Sequence, residues 1–257
     1  MWYKIKAYFK FILKSSNQHG VHSPFVYNLV TKCFYDKKRY SDYKDLKNYT
    51  SQLLKNKSTL EVTDLGKGSK IAKTNNRLIS ELAKNTSSTQ KRAQLLYRLA
   101  NYFNFNNSLE LGTSLGISTF ALHKGNPEGK ITSTESCQNI ADFTTQNLKK
   151  NNTKNISILN SDISKSLGHL KNETFDFIFL DGNHQKESTL SYFESLLNNI
   201  TNNSILVFNE IYWSKEMTEA WQIIKNHPKV TVTIDTYWCG FVFFRQEQEK
   251  EHFVIRL

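Results

Sequence analysis

Five carboxylates recur at or just past the ends of apolar runs in the later part of the chain: Glu110, Glu135, Asp162, Asp181 and Glu210, the last preceded by Asn209. One alone would be an ordinary cap or turn residue, whereas five in succession are harder to assign to capping. His184 stands three residues after Asp181 in LDGNH. A neutral imidazole there can take a proton near neutral pH, although a histidine at a helix start can also serve only as a local cap. Ahead of all these lies SLELGTSLGIS, Ser108 to Ser118, in which Gly112 and Gly116 bracket a tight turn. Glycine has no Cβ, so backbone N–H groups in such a turn can approach a ligand closely. The chemistry on offer is ligand capture at a glycine turn, hydrogen bonding by acids to a polar ligand, and proton removal by a histidine.

Periodicity supplies the elements that must position these groups. Gln90 to Phe103 places Leu95, Leu96, Leu99 and Tyr102 on one face and predicts a helix. Strands and helices then alternate: strands at 108–111, 130–134, 156–159, 175–180 and 204–208, and helices at 117–124, 139–149, 163–170, 186–198 and 215–226. Strands at 230–235 and 241–245, joined by Tyr237 to Gly240, predict a closing hairpin. This order implies an α/β, doubly wound, mostly parallel seven-stranded sheet with one antiparallel strand. In such a sheet ligands bind beyond the carboxyl ends of the strands, where the acids lie. Residues 1–89 are less regular and read as a mainly helical N-terminal extension or lid, with 90–257 as the core.

The chain has 257 residues, enough for one core and an appended segment. Its 34 basic and 23 acidic residues give a net charge of +11. Lys and Asn are spread along the whole chain, so this charge marks no single basic block. Cys33, Cys137 and Cys239 lie far apart with no CxxC spacing, which argues against a zinc site or a disulfide framework and fits a reducing, cytoplasmic compartment. No apolar run reaches the roughly 20 residues that span a bilayer. At the start of the chain Trp2, Ile5, Phe9 and Ile12 fall at helical spacing, with Lys4, Lys6, Lys10 and Lys14 available for another face. This segment, residues 1–14, reads as a helix packed on the protein or on a second copy in a homodimer, with peripheral membrane contact as the alternative.

From about Gln90 to Arg245 the chain resembles a class I S-adenosylmethionine-dependent methyltransferase, of the Rossmann-like fold. LELGTSLG is similar to the family's first motif, and the resemblance implies that Glu110, Gly112, Thr113, Ser114 and Gly116 form a turn at the methionine part of the cofactor. It implies ribose hydroxyls at Glu135, 25 residues on, and the adenine amino group near Asp162 in LNSDI. FDFIFLDGNH, Phe175 to His184, resembles the fourth motif of a DGxH subgroup that often methylates hydroxyls. That makes Asp181 a cofactor-side and catalytic residue and His184 the candidate base. Metal-using relatives carry an Asp-Asp or Asp-Asn pair after the fifth strand. Asn209-Glu210 departs from that pair, which leaves Mg or Mn at Asp181, Asn209 and Glu210 an open point. The implied function is methyl transfer from S-adenosylmethionine to a hydroxyl of a small molecule. The [DN]PP[YF] signature of amino-methylating nucleic-acid enzymes is absent, so a nucleic-acid acceptor is the lesser reading. A non-catalytic or membrane-associated protein that keeps the fold is the third.

TDLGKGS, Thr63 to Ser69, could itself be a cofactor turn, but no apolar strand ending in an acid follows at the right distance. Lys70 to Lys84 reads instead as a polar helix. The segment is therefore expected to be a loop or lid, with Lys67 and Lys70 as possible contacts for an acidic group. Tyr212 and Trp213 are candidates to wall an acceptor. His19 and His22 in HGVHSPF, lacking a third ligand, are expected to dock the N-terminal arm.

Overall fold

A computed structural model describes residues 2–63, 75–85 and 89–257. TDLGKGS beyond Thr63, with Lys67 and Lys70, lies outside the described residues. The chain divides into two compact units, Met1–Tyr35 with Leu167–Leu257, and Asp36–Ser166. The change of pattern near residue 90 falls inside the second unit.

In chain order the elements open with α1 (Trp2–Lys14), a short 3-10 turn at Gln18–Gly20, and α2 (Pro24–Leu29), which runs into a π turn at Val30–Phe34. Then come α3 (Tyr43–Lys55), β1 (Thr59–Glu61), β2 (Asn76–Leu78), α4 (Ile79–Asn85) and α5 (Gln90–Phe103). The alternating part is β3 (Asn107–Leu111), α6 (Ile117–Gly125), β4 (Lys130–Glu135), α7 (Gln138–Lys150), β5 (Ile156–Asn160), α8 (Ile163–His169) and β6 (Phe177–Leu180). It continues through α9 (Lys186–Leu196), β7 (Ile205–Asn209), α10 (Lys215–Asn226), β8 (Val232–Asp235), β9 (Cys239–Phe243) and β10 (Glu251–Val254).

Eight strands form one mostly parallel sheet in the order β10-β8-β9-β7-β6-β3-β4-β5, and β9 runs antiparallel to β7 and β8. Seven were expected. The eighth, β10, pairs parallel with β8 from Glu251↔Val232 to Val254↔Asp235. The expected helix over Lys70 to Lys84 is also corrected where it is described. Residues 76–78 form β2, antiparallel to β1, and the helix begins at Ile79.

Within the second unit, β3, β4 and β5 run parallel, with Leu109 beside Thr132 and Glu135 beside Asn160. The helix α5 starts at Thr89, whose hydroxyl accepts from the Arg92 N–H at 3.4 Å, and stops at Asn104 in a left-handed cap. Lys124 of α6 reaches Asp42 and Asp45 at 2.7 and 2.8 Å and ties α6 to the start of α3. In the first unit, β6 (FIFL) and β7 (ILVFN) are buried along their whole length, as strands covered on both faces must be. The start of the chain is knitted into this unit. Ser16 bridges Ile255, Phe25 meets Phe243 edge-on at 5.1 Å, the Tyr35 hydroxyl donates to the Arg256 carbonyl, and Ser23 caps α2 ahead of Pro24. His19 and His22, expected to dock the arm, are exposed; Phe25 of the same segment and Ser23, whose hydroxyl donates to the Gln248 amide carbonyl at 3.1 Å, make the contact instead. No helix among the described residues is long and apolar enough to cross a membrane.

Candidate active site

The glycine turn of the second unit follows β3. Gly112 has φ 110° and Gly116 φ 74°, both in the region that side chains disfavour. The Gly112 and Thr113 N–H groups both donate to the Thr134 carbonyl, at 3.1 and 2.9 Å, and the Gly116 N–H closes the turn on the Thr113 carbonyl at 2.9 Å. A Cβ on Gly116 would lie 2.7 Å from Thr144 Cγ2 and 3.1 Å from the Tyr49 hydroxyl. Two side chains brace the turn from behind. Tyr49 of α3 donates to the Leu115 carbonyl at 2.9 Å and stacks on Phe120 at 4.5 Å, and Thr144 of α7 donates to the Ser114 carbonyl at 2.7 Å.

Glu110 is fully buried, and its carboxylate accepts from the hydroxyls of Thr119 and Ser133. Ser133 in turn lies 2.6 Å from the Thr113 hydroxyl, so Thr113 also turns its side chain into this buried network. Glu110 therefore holds β3, β4 and α6 together beneath the turn. Glu135, at the end of β4, accepts from the Ser114 N–H at 2.9 Å with one oxygen and from the Cys137 N–H at 3.0 Å with the other. Burial pushes its carboxyl above the usual carboxylate range, against the pull of the Cys137, Ser114 and Ser136 N–H groups. A carboxylate oxygen has a second lone pair, so both oxygens can still accept from a ligand hydroxyl. Asp162 starts α8, accepting from the Lys165 N–H at 3.0 Å. Cys137 and Asn139 lie against β1, where the Asn139 amide donates to the Glu61 carbonyl at 2.8 Å. Val62, Cys137 and Ile140 form a small apolar cluster with Leu60 and Leu82 beside them.

The first unit carries the other predicted residues. Asp181 follows β6 and accepts from the Asn209 amide at 2.6 Å, while His184 Nε2 lies 3.8 Å from the same Asp181 oxygen. The His184 ring stacks on Trp213 at 5.5 Å. Lys4 of α1 sits 3.5 Å above the Trp213 ring and 3.8 Å from the Glu210 carboxylate. Asn183, His184, Glu210 and Tyr237 all have left-handed backbone just past strand ends, a conformation that costs a non-glycine residue about 1–2 kcal/mol. Tyr212 donates to the buried Asp235 at 2.7 Å and stacks on Tyr237, which places it in packing behind the strand ends.

The donor set fits a divalent cation poorly. Asn209 directs its amide N–H to Asp181 and its carbonyl to the Cys239 thiol at 3.5 Å, and Glu210 pairs with the Lys4 ammonium. Among the described residues no group of three or more His, Cys, Asp or Glu could hold a metal ion.

Sequence reasoning had no signal for Tyr49, Thr144 or Lys4. Each acts across a distance in the chain: 66 residues separate Tyr49 from Leu115 and 30 separate Thr144 from Ser114.

A central parallel sheet, a glycine turn after its first core strand and acids at successive strand ends define the class I methyltransferase fold. Residues 109–211, about two fifths of the chain, match the family model of a methyltransferase domain. Solved structures agree in fold. An O-methyltransferase from Bacillus cereus in complex with S-adenosylhomocysteine is 17% identical, with TM-score 0.56, covering 83% of this chain and 95% of that one. An S-adenosylhomocysteine-bound methyltransferase from Podospora anserina is 12% identical, with TM-score 0.60 and coverages of 87% and 97%. The O-methyltransferase TomG from Streptomyces achromogenes, involved in tomaymycin synthesis and solved with S-adenosylmethionine, is 15% identical, with TM-score 0.56 and coverages of 83% and 92%. No curated protein matches the chain in sequence. The chain thus has the fold of these solved structures, and its residues 109–211 match the methyltransferase-domain model.

Proposed function

We propose that this protein transfers the methyl group of S-adenosylmethionine to a hydroxyl of a small molecule. The observation that carries the reading is the tie between the glycine turn and Glu135: the Ser114 N–H fixes a carboxylate at the end of β4, ready to accept from vicinal hydroxyls. The solved structures with bound S-adenosylhomocysteine or S-adenosylmethionine support the same cofactor here. Gly112 and Gly116 give the turn two positions without a side chain, and the buried apolar cluster of Val62, Cys137 and Ile140 at the start of α7 would back a planar base. Asp162 is the further acid on this side.

When bound, the cofactor supplies an electrophilic methyl on sulfur, whose S–C bond breaks as the O–C bond forms, leaving the electron pair on sulfur. The acceptor hydroxyl must lose its proton. His184 takes it at Nε2, and Asp181, 3.8 Å away, stabilises the imidazolium that results. Trp213, stacked on His184, limits the ring's freedom and offers a flat wall to an aromatic acceptor. Because Asn209 and Glu210 are otherwise engaged, proton removal here runs without a metal.

Calorimetry with S-adenosylmethionine and a transfer assay over phenols and aliphatic alcohols, with and without chelator, test this. Micromolar binding and chelator-resistant transfer are expected. No binding at millimolar cofactor would point to a protein that keeps the fold without the chemistry, and chelator-sensitive transfer would return a cation to Asp181.

A further inference from the structure

The outward face of α1 is apolar and basic at once. Its inner face is fixed to the first unit: the Tyr3 hydroxyl donates to Thr218, the Tyr237 hydroxyl donates to the Lys4 carbonyl, and Tyr8 and Phe11 pack on the Tyr237 ring. Opposite that face, Trp2 and Leu13 are each 86% exposed, Phe9 65% and Ile5 44%. These positions recur every three to four residues and so form one stripe along the helix. Lys6, Lys10 and Lys14, also exposed and four apart, form a second row. Over its 13 residues, about 20 Å, α1 holds no acidic residue.

We propose that α1 seats the protein on an anionic phospholipid surface, with Trp2, Ile5, Phe9 and Leu13 entering the headgroup boundary and Lys6, Lys10 and Lys14 facing lipid phosphates. An interfacial helix requires this pairing of an apolar stripe with a cationic border, and anionic lipid attracts each lysine near the surface. Charge decides between lipid and a second copy as occupant. Two copies joined through α1 would bring lysine rows of two chains together, each chain carrying +11, with no acid on either helix to offset them. An anionic bilayer offers the opposite sign. The inference stands apart from the methyl-transfer reading, because none of the stripe residues belongs to the candidate site.

Flotation of the full chain with phosphatidylcholine vesicles, and with vesicles that also hold phosphatidylglycerol, tests it. Binding to the anionic vesicles alone, released by salt, is expected. Exchanging Lys6, Lys10 and Lys14 for Gln should weaken it on the order of a hundredfold, from a factor of roughly five per lysine. Phe9→Glu with Leu13→Glu should abolish it without moving the melting temperature, since both side chains point away from the fold. Absence of anionic-vesicle binding, or binding indifferent to both sets of substitutions, overturns the proposal. So does a concentration-dependent dimer that Phe9→Glu with Leu13→Glu dissolves, which would assign the stripe to a second copy.

Discussion

Replacing Gly116 by Ala separates two costs that the glycine turn avoids. With φ at 74°, a Cβ forces a left-handed conformation worth about 1–2 kcal/mol. The same Cβ lies 2.7 Å from Thr144 Cγ2, in a buried spot where overpacking typically costs about 1–3 kcal/mol. Together the penalty is roughly 2–5 kcal/mol, which for a chain of this size lowers the melting temperature by roughly 4–20 °C. S-adenosylmethionine affinity should fall with it, because the turn can relieve the clash only by moving. Thr144→Ser removes the offending methyl but keeps the hydroxyl that donates to Ser114, so alone it should cost only about 1 kcal/mol. In the double variant the clash with Thr144 should vanish, while the tight 3.1 Å approach to the Tyr49 hydroxyl and the backbone part remain. Thermal melts and calorimetry on all four proteins give the coupling directly. A Gly116→Ala protein that melts and binds like the parent, or a cycle that is strictly additive, would refute the packing account of the turn.

His184→Ala should lower turnover by about 10²- to 10⁴-fold while leaving S-adenosylmethionine affinity in place; unchanged turnover removes His184 as the base. Ser114→Gly keeps the backbone bonds to Glu135 and Thr144 and relieves a left-handed serine, so calorimetric melting should stay within about 1 kcal/mol of the parent. Cofactor affinity should fall by about tenfold, and an unchanged affinity would take the Ser114 side chain out of the site. Burial holds the Asp235 carboxyl above its ordinary 3.8. An acid raised in the folded state contributes stability that is complete below its unfolded value and lost as pH rises through the folded one. Denaturant melts of the parent and Asp235→Asn should therefore show the difference moving in favour of the variant as pH climbs from 3.8. A gap constant with pH would contradict the raised value.

The core was legible because β6, β7 and β9 are apolar runs bounded by polar residues, and the longer helices repeat their apolar positions at helical spacing. α5 and α10 fall at their expected bounds for that reason. β10 escaped notice because EHFV follows a polar stretch and alternates weakly; backbone pairing with β8 makes it a strand. β2 was hidden for a related reason. Three residues, Asn76 to Leu78, become a strand only beside Thr59 to Glu61, a partner that local pattern does not reveal. The acids were legible as positions but not as directions. In a half-buried strand Glu110 would point away from Leu109 and Leu111 toward water. β3 is covered on both faces, so the carboxylate enters the interior and needs Thr119 and Ser133 to satisfy it.

Direction also explains why strained backbone gathers where it does. Four strands are followed within four residues by a left-handed residue that is not glycine: Ser114 after β3, His184 after β6, Glu210 after β7 and Tyr237 after β8. Each is held by bonds that a relaxed turn would forfeit. Ser114 is fixed through Glu135 and Thr144, and the His184 N–H donates to the Gly182 carbonyl. The Glu210 N–H donates to the Trp238 carbonyl at 2.6 Å, and the Tyr237 N–H to Asp235. Glycine would remove the strain at every one of these places at the expense of the side chain. Capping does not require a histidine at left-handed φ beside an aspartate, nor a glutamate beside a lysine supplied by α1. The proposed methyl transfer would require those side chains beyond the strand ends, and each is braced within its own unit, Glu210 by Lys4 in the first and the glycine turn by Tyr49 in the second.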